Sequence, residues 1–518
     1  MKIDFSRNTR RNIVSAILNK GVGLLFPFLN RTLFLWLMGA EYLGLNGLFT
    51  SILGVLALAD LGFGTAVVCS MYKPVADDDR ELVCAYLRFY RTVYRWVGTA
   101  IFVIGLCLLP FLGSLVKGDL PPGLDLHVLY LIHLVNTAIG YFLFAYRGSV
   151  LNAYHRGDVV TNIHTFTSIA QYATVFLILF LTRNYYHYVM ATVFFTVVNN
   201  LLVYRESRRL FPEIDPRGEL SEDRRRKVVS DVKSIFMHKV GAVITNQTDN
   251  IVISAFLGLV AVGAYGNYYY VHTAVGGLAW SIYSSMQNGF GNTIFTETKA
   301  ANFDRFMRAV RIVLAVVAGC SAMMTALYQP FIEVWTGGRP ELSRHFLTPL
   351  LMVLFFYIYQ SRQTLLTFKA AANLWRQDRW KPLVAGALNL SLNITFVVTL
   401  PEAYKLDGVI LSTVLSFVLV QIPWESGVMF TAFFDGRQAA VYWRAQVASA
   451  LKAIVLCAAA WYVARLVPLS GAPGLVAKGA ASAAFVACAM CLLFRGEVLH
   501  LASKVLHRRG RPTMGSGA

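Results

Sequence analysis

Apolar blocks longer than any soluble core strand recur along this chain. Ile101–Pro110, Leu131–Ala145 and Ala453–Leu466 are three of them. Of the 518 residues, 56% are hydrophobic and only 14% are charged. A soluble chain carries about 25% charged residues, because its surface must be wetted. Lipid is therefore the main solvent, and the chain reads as an all-α polytopic membrane protein. A spanning helix needs roughly 20 mostly apolar residues. About fourteen such segments can be placed, over residues 12–38, 44–71, 82–116, 125–153, 158–182, 186–210, 234–257, 262–294, 305–335, 345–372, 380–400, 407–432, 441–466 and 473–494. The connections are too short for a large extramembrane domain.

Charge sets the sides. Lys+Arg number 47 against 28 Asp+Glu, a formal net charge of +19. In a soluble protein this would raise nucleic acid as a partner, but in a membrane protein it reports orientation. With the N-terminus (Lys2, Arg7, Arg10, Arg11) in the cytoplasm, alternation puts Lys73 and Arg80, Arg156, Arg205 to Lys227, Lys299 and Arg305, Arg376 to Lys381, and Arg437 and Arg444 on that same side. The basic tail from Lys504 to Arg511 joins them. The opposite side receives Lys117, Arg183, Arg339, Arg344, Lys405, Arg465 and Lys478. This asymmetry predicts a multi-pass membrane protein with both termini cytoplasmic, and it removes the need for nucleic acid. The first apolar segment holds Lys20 and Arg31 and lacks a small-residue cleavage site, so it reads as a span and not as a cleaved signal. The seven cysteines lie mostly inside apolar stretches and read as small packing residues.

An internal repeat organises the spans. With an offset of 219 residues (234 − 15), Ser15 falls on Ser234, Lys20 on Lys239, Gly39 on Gly258, Gly44 on Gly263 and Gly47 on Gly266. Six spans separate the copies, so both have one orientation and their axis runs along the membrane normal, as in transporters built of two parallel halves. This predicts an N-lobe over 1–211, a polar cytoplasmic linker over 212–232, a C-lobe over 233–432, and two extra spans with a basic tail over 433–518.

Ionisable residues inside spans cost a few kcal/mol or more and mark cavities or partners. Lys20 and Arg31 lie eleven residues apart, which returns them to one helix face. Lys239, Asn246 and Asn250 form a stripe on the repeat mate of that helix, beside Asp249. Two cationic, amide-rich faces suit a cavity for an anionic solute. For Lys20 and Lys239 a second reading stands, in which they snorkel to the interface and fix topology. Asp60, Asp249, His272, Arg362 and Glu425 complete the buried inventory. Carboxylates in such places take up and release ions, which suits coupling; structural ion pairing is the alternative. His272 beside Tyr268–Tyr270 reads as a packed residue. Arg88, Arg91 and Arg95 line the cytoplasmic end of the third span, where lipid headgroups or a lipid-linked phosphate would bind. No G-x-x-x-x-G-K-[ST] loop is present and no Cys/His cluster has zinc spacing, so no cofactor is expected beyond a coupled H+ or Na+.

The strings NRTLFLWLMGAEYLGLNGLFTSIL (Asn30–Leu53), LADLGFGTAV (Leu58–Val67), MYKP (Met71–Pro74) and TDNIVISAFLGLVAVGAYGNYYY (Thr248–Tyr270) resemble bacterial polysaccharide-biosynthesis flippases. These are Wzx-like members of the multidrug/oligosaccharidyl-lipid/polysaccharide exporter superfamily. The resemblance runs from about Arg11 to about Phe434. It implies two six-helix lobes in a V with two extra helices, and movement of undecaprenyl-pyrophosphate-linked oligosaccharide to the periplasmic leaflet. It also implies a cationic cavity for the pyrophosphate and use of an ion gradient, with cavity lining falling here on Lys20, Arg31, Lys239 and Asp249. Together with the buried inventory this gives Lys20, Arg31, Lys239, Asn250 and Arg362 as the expected pyrophosphate site and Asp60, Asp249 and Glu425 as the expected ion-coupling residues. Asp60 stands where relatives often carry Glu. Membrane lipids, and a polysaccharide polymerase with its chain-length machinery, are the partners so implied. Three other classes bear weighing. A multidrug or cation extruder would want an acidic, aromatic cavity. A glycan polymerase or ligase would want a long outer loop, and an assembly scaffold would not need so many buried charges.

Overall fold

The computed structural model describes residues 5–60, 63–118, 120–294, 296–343, 345–374 and 377–497. Among them the chain is helical, with no β-strand. Each expected span falls on a helix or on a helix with a break. The first is α1 (Phe5–Leu37). The second is α2 (Ala40–Leu56), a 3-10 turn (Ala57–Asp60) and α3 (Phe63–Ala76). Then come α4 (Arg80–Leu108), α5 (Leu126–Phe142) with α6 (Arg147–Ala153), α7 (Gly157–Leu181) and α8 (Tyr185–Leu210). The chain continues through α9 (Glu222–Leu257), α10 (Leu259–Thr293), α11 (Lys299–Trp335), α12 (Leu347–Ser361) with α13 (Gln363–Ala371), and α14 (Lys381–Thr399). It ends with α15 (Lys405–Ser416), a π turn (Phe417–Gln421), α16 (Ile422–Ala432), α17 (Gly436–Arg465) and α18 (Gly471–Leu493). Among the described residues eight helices are long and apolar enough to cross a membrane, nine if the bent pair α5–α6 is one span. Large apolar side chains such as Phe180, Leu181 and Leu492 face outward, as lipid contact requires.

The structure breaks several of the expected spans. α5 and α6 meet at 51°, with Phe144 in the left-handed region at φ 58°. α12 and α13 break at Arg362. Polar side chains occupy both breaks, where backbone groups leave the helical ladder and need partners inside the fold. α9 begins at Glu222, so the second half of the polar 212–232 stretch is already helix.

The chain divides into two compact units, Met1–Gly266 and Asn267–Ala518. The first has a core of Val67, Met71, Val83, Leu87, Tyr90, Val150 and Leu151, closed by Ile214 and Leu220 from the 212–232 stretch. That stretch is tied down by charge. Arg147, at the break in the fourth span and 1% exposed, donates to the Ile214 carbonyl at 2.6 Å and to Asp215 at 2.5 Å. Arg208 meets the same carboxylate at 2.9 Å, and Arg80 pairs with Glu213. The second unit has an aromatic core of Phe306, Phe368, Phe430, Phe434 and Tyr442. There His272 is buried and stacked on Phe355 at 4.4 Å between ring centroids, which agrees with its reading as a packed residue.

Candidate functional site

The repeat is built into the backbone of the first unit. α1 ends at Leu37 and the chain turns at Gly39, φ 111° and ψ 176°. α9 ends at Leu257 and the chain turns at Gly258, φ 89° and ψ 176°. The two positions are register mates (39 + 219 = 258), and both need a backbone conformation that glycine alone adopts at no steric cost. The next helices start at Ala40 and Leu259, again register mates. They touch reciprocally. A Cβ on Gly44 would run into the Leu259 carbonyl, and one on Gly263 would lie 2.6 Å from the Ala40 carbonyl. A contact in which i meets j while the mate of i meets the mate of j is what an approximate two-fold relation produces.

Polar side chains gather at the same junction. Arg31, six residues before the end of α1 and half-buried, donates from Nη2 to the Gly263 carbonyl at 3.1 Å. A Cβ on Gly266 would stand 2.5 Å from that nitrogen, so the two glycines admit the guanidinium against the backbone. Asn30 donates to the Tyr188 hydroxyl of α8 at 3.1 Å. The register mate of Arg31 is Asn250 (31 + 219), which donates to Ser51 Oγ of α2 at 2.9 Å. Next to it, buried Asp249 accepts from the Tyr265 hydroxyl at 3.0 Å. One guanidinium, two amides, three hydroxyls and a carboxylate thus gather around the contact between the two copies. Such a donor set can bind an anion and respond to an ion.

The other sequence candidates stand apart from this junction. Lys20 is exposed on α1, beside an Asn19 that donates to Thr165 at 2.9 Å. Lys239 lies on α9 and Asp60 at the end of the 3-10 turn, and the side chains of both are outside the described residues. Arg88 donates to the Gly218 carbonyl at 3.0 Å and meets Glu219 at 3.5 Å. It is thus engaged by the 212–232 stretch, while Arg91 is half-buried and Arg95 exposed. Arg362 and Glu425 belong to the second unit and are brought together there, Nε to Oε2 at 3.7 Å. Arg362 also donates to Gln421 at 2.5 Å and lies 4.5 Å from the Phe417 ring centroid.

Around that pair is a network that sequence reasoning missed. Glu425 is bonded to Lys381, Lys381 stands 3.3 Å from Asp378, and Asp378 is bonded to Lys369. Lys369, Asp378 and Glu425 are fully enclosed. Lys381 looked like one of the topology-setting basic residues, and Asp378 like a loop residue. The one signal on hand was proximity in sequence, Lys369 and Lys381 flanking Asp378 at nine and three residues, in a connection otherwise short and polar.

The model of the family described as "Polysaccharide biosynthesis protein" matches residues 9–286, more than half of the chain and the part that holds both repeat junctions. No curated protein sequence matches. Among solved structures, the lipid II flippase MurJ in an inward closed conformation superposes with a TM-score of 0.66 at 14% identity, covering 94% of this chain and 100% of that one. An inward-facing multidrug resistance MATE transporter of the MOP superfamily gives 0.55 at 15% identity, over 80% of this chain and 99% of its own. A Vibrio cholerae MATE transporter gives 0.52 at 14%, over 83% and 99%. At such identities the likeness is one of fold. The sequence match over both repeat junctions goes further: this chain is a multi-pass membrane protein that belongs to the polysaccharide biosynthesis protein family.

Proposed function

We propose that this protein is a transporter and not an enzyme, and that it flips undecaprenyl-pyrophosphate-linked oligosaccharide from the cytoplasmic to the periplasmic leaflet of a bacterial inner membrane. The observation that carries this is the reciprocal glycine contact with Arg31 and Asn250 as its polar mates. Two like-oriented copies that touch through bare backbone can part and close again, because close packing without interlocking side chains is easily separated and re-formed. A cation at that contact gives a phosphate group an alternative to the Gly263 carbonyl. Arg31 exchanges its backbone acceptor for substrate oxygen, and charge-assisted bonds to phosphate are the stronger of the two. Lys20 and Lys239, on the same helix faces as Arg31 and Asn250, extend the cationic path toward the cytoplasm.

Coupling to H+ or Na+ fits Asp249, whose carboxylate already holds a hydroxyl donor, and Asp60. Glu425, set between Lys381 and Arg362, is better read as their counter-ion, and Arg362 as part of that network instead of the phosphate path. Arg91 and Arg95 recruit the lipid headgroup, beside an Arg88 that the 212–232 stretch already holds. A polymerase and its chain-length machinery would receive the product.

The test is made in cells. Loss of the gene should leave the lipid-linked oligosaccharide on the cytoplasmic leaflet and abolish surface polysaccharide. Intact polysaccharide together with new sensitivity to cationic drugs would instead mark a drug extruder of the same fold.

A further inference from the structure

α17 and α18 lie outside the repeat and pack on α11 through a face of small side chains. Ala322 and Ala326 of α11 meet Leu456, Ala460 and Ala464 of α17 and Val486 of α18. Small residues let transmembrane backbones approach closely. Two cavities open along this trio, one toward each end. One, of 180 Å³, is lined in part by Glu333, Arg465 and Lys478. The other, of 360 Å³, is lined in part by Arg311, Arg444, Lys452 and Glu497.

Their spacing fixes their depth. Arg444 and Arg465 are 21 residues apart on α17 (465 − 444), about 32 Å at 1.5 Å per residue. Arg311 and Glu333 are 22 residues apart on α11 (333 − 311), about 33 Å. The hydrocarbon core of a bilayer is about 30 Å thick. The cavities therefore sit at the two headgroup levels, the larger one on the side that the basic connections mark as cytoplasmic. Between them α17 turns Val447, Leu451, Ile454 and Val455 outward, each more than half exposed. That stripe is lipid-facing.

The larger cavity is cationic. Arg311, Arg444 and Lys452 against Glu497 leave a formal charge of +2 (3 − 1). Lys452 donates to the Leu493 carbonyl at 2.8 Å and lies 5.0 Å from the Phe494 ring centroid, so its ammonium reaches from α17 to the end of α18. Among the described residues no carboxylate pairs with Arg311 or Arg444. Arg311, Arg444 and Lys452 are exposed at that level, where an anionic leaflet attracts basic side chains by about 1 kcal/mol each. The volume falls within the range of small-molecule sites, about 300–1,000 Å³, and so accommodates a headgroup and not only a small ion.

We infer that this cavity binds the phosphate headgroup of an anionic phospholipid of the cytoplasmic leaflet, with Arg311 and Arg444 on the phosphate, Lys452 at its edge and the acyl chains along the Val447–Val455 stripe. A soluble phosphate shares the charge but has nothing to place on the stripe. The bound lipid bridges α11, α17 and α18 at one level, and it does so independently of what the repeat transports.

The test uses the full-length protein in a nonionic detergent, with native mass spectrometry as phosphatidylglycerol is titrated in. Wild type should retain phosphatidylglycerol in preference to phosphatidylcholine. Arg311→Gln/Arg444→Gln/Lys452→Gln should bind it about a hundredfold more weakly, because each substitution takes one positive charge away from the phosphate. The triple variant should elute as a single species and melt as wild type does without lipid. If it does not fold, Arg444→Gln alone should lose about fivefold. Unchanged phosphatidylglycerol affinity in the variants would overturn the inference. So would equal binding of phosphatidylcholine, equal protection by inorganic phosphate, or retention of undecaprenyl phosphate without phosphatidylglycerol. None of these readouts involves transport, so failure here leaves the flippase reading untouched.

Discussion

Asp378 is enclosed between the ammonium groups of Lys369 and Lys381, and Glu425 between Lys381 and Arg362. Removing one member of such a network leaves a cation buried without its counter-charge, which typically costs about 3–5 kcal/mol. Asp378→Asn should therefore lower the melting temperature of the purified protein in detergent markedly, while Arg95→Gln, at an exposed position, should leave it within error. Equal melting of the two variants would show that the network contributes nothing. Arg31 is a different case, half-buried and bonded to a backbone carbonyl. Arg31→Ala should abolish polysaccharide export with normal amounts of protein in the membrane. Arg31→Lys should restore only part of it, because an ammonium cannot reproduce the planar fork. Full export by Arg31→Ala would remove the residue from the mechanism. Lipid makes ionisable residues inside a span costly and so conspicuous in sequence, yet the inventory passes over Arg147 and Lys369, which lie within the expected spans and are buried. The sequence does not reveal partners. Arg362 and Glu425 are 63 residues apart (425 − 362), and the side chains that join them come from helix ends that read as ordinary polar connections.

Helices are legible for the reason that lipid leaves the backbone no other way to satisfy itself. Their breaks are not. An apolar run looks the same whether the helix within it is straight or bent at 51°, as α5–α6 is. The break is specified by a buried arginine and a carboxylate far along the chain, Arg147 with Asp215. The glycines are the exception, because their spacing in the repeat marks the turns at Gly39 and Gly258, although the contact of α2 with α10 emerges only in the structure. That contact predicts its own sensitivity. A methyl group on Gly44 meets the Leu259 carbonyl, which cannot move aside without moving α10. Overpacking of this kind costs about 1–3 kcal/mol, or roughly a five- to 150-fold smaller population of the closed contact. Export by Gly44→Ala and by Gly263→Ala should fall accordingly, whereas Gly21→Ala, with open space around it, should behave as wild type. Normal export in the first two would mean that the contact is not used.

At the scale of the molecule, the helices that follow the two glycine turns, α2 and the start of α10, touch reciprocally inside the first unit. The copies are readable in sequence because register is exact over the glycines and lysines. The polar partners are not, because Arg31 and Asn250 differ in type and only their equivalence in position unites them. Transport of the kind proposed requires this junction to part and close while a lipid-linked pyrophosphate passes. Gly47 and Val262 face each other across it, a Cβ on Gly47 standing 3.2 Å from Val262 Cγ1, within reach of a disulfide once both are cysteine. The decisive experiment is flipping of a labelled undecaprenyl-pyrophosphate-linked oligosaccharide in liposomes holding Gly47→Cys/Val262→Cys. Flipping should stop when the pair is oxidised and resume on reduction, with both single-cysteine variants indifferent to oxidant. Undiminished flipping with the disulfide fully formed, or no flipping above protein-free liposomes in the reduced protein, would refute that requirement.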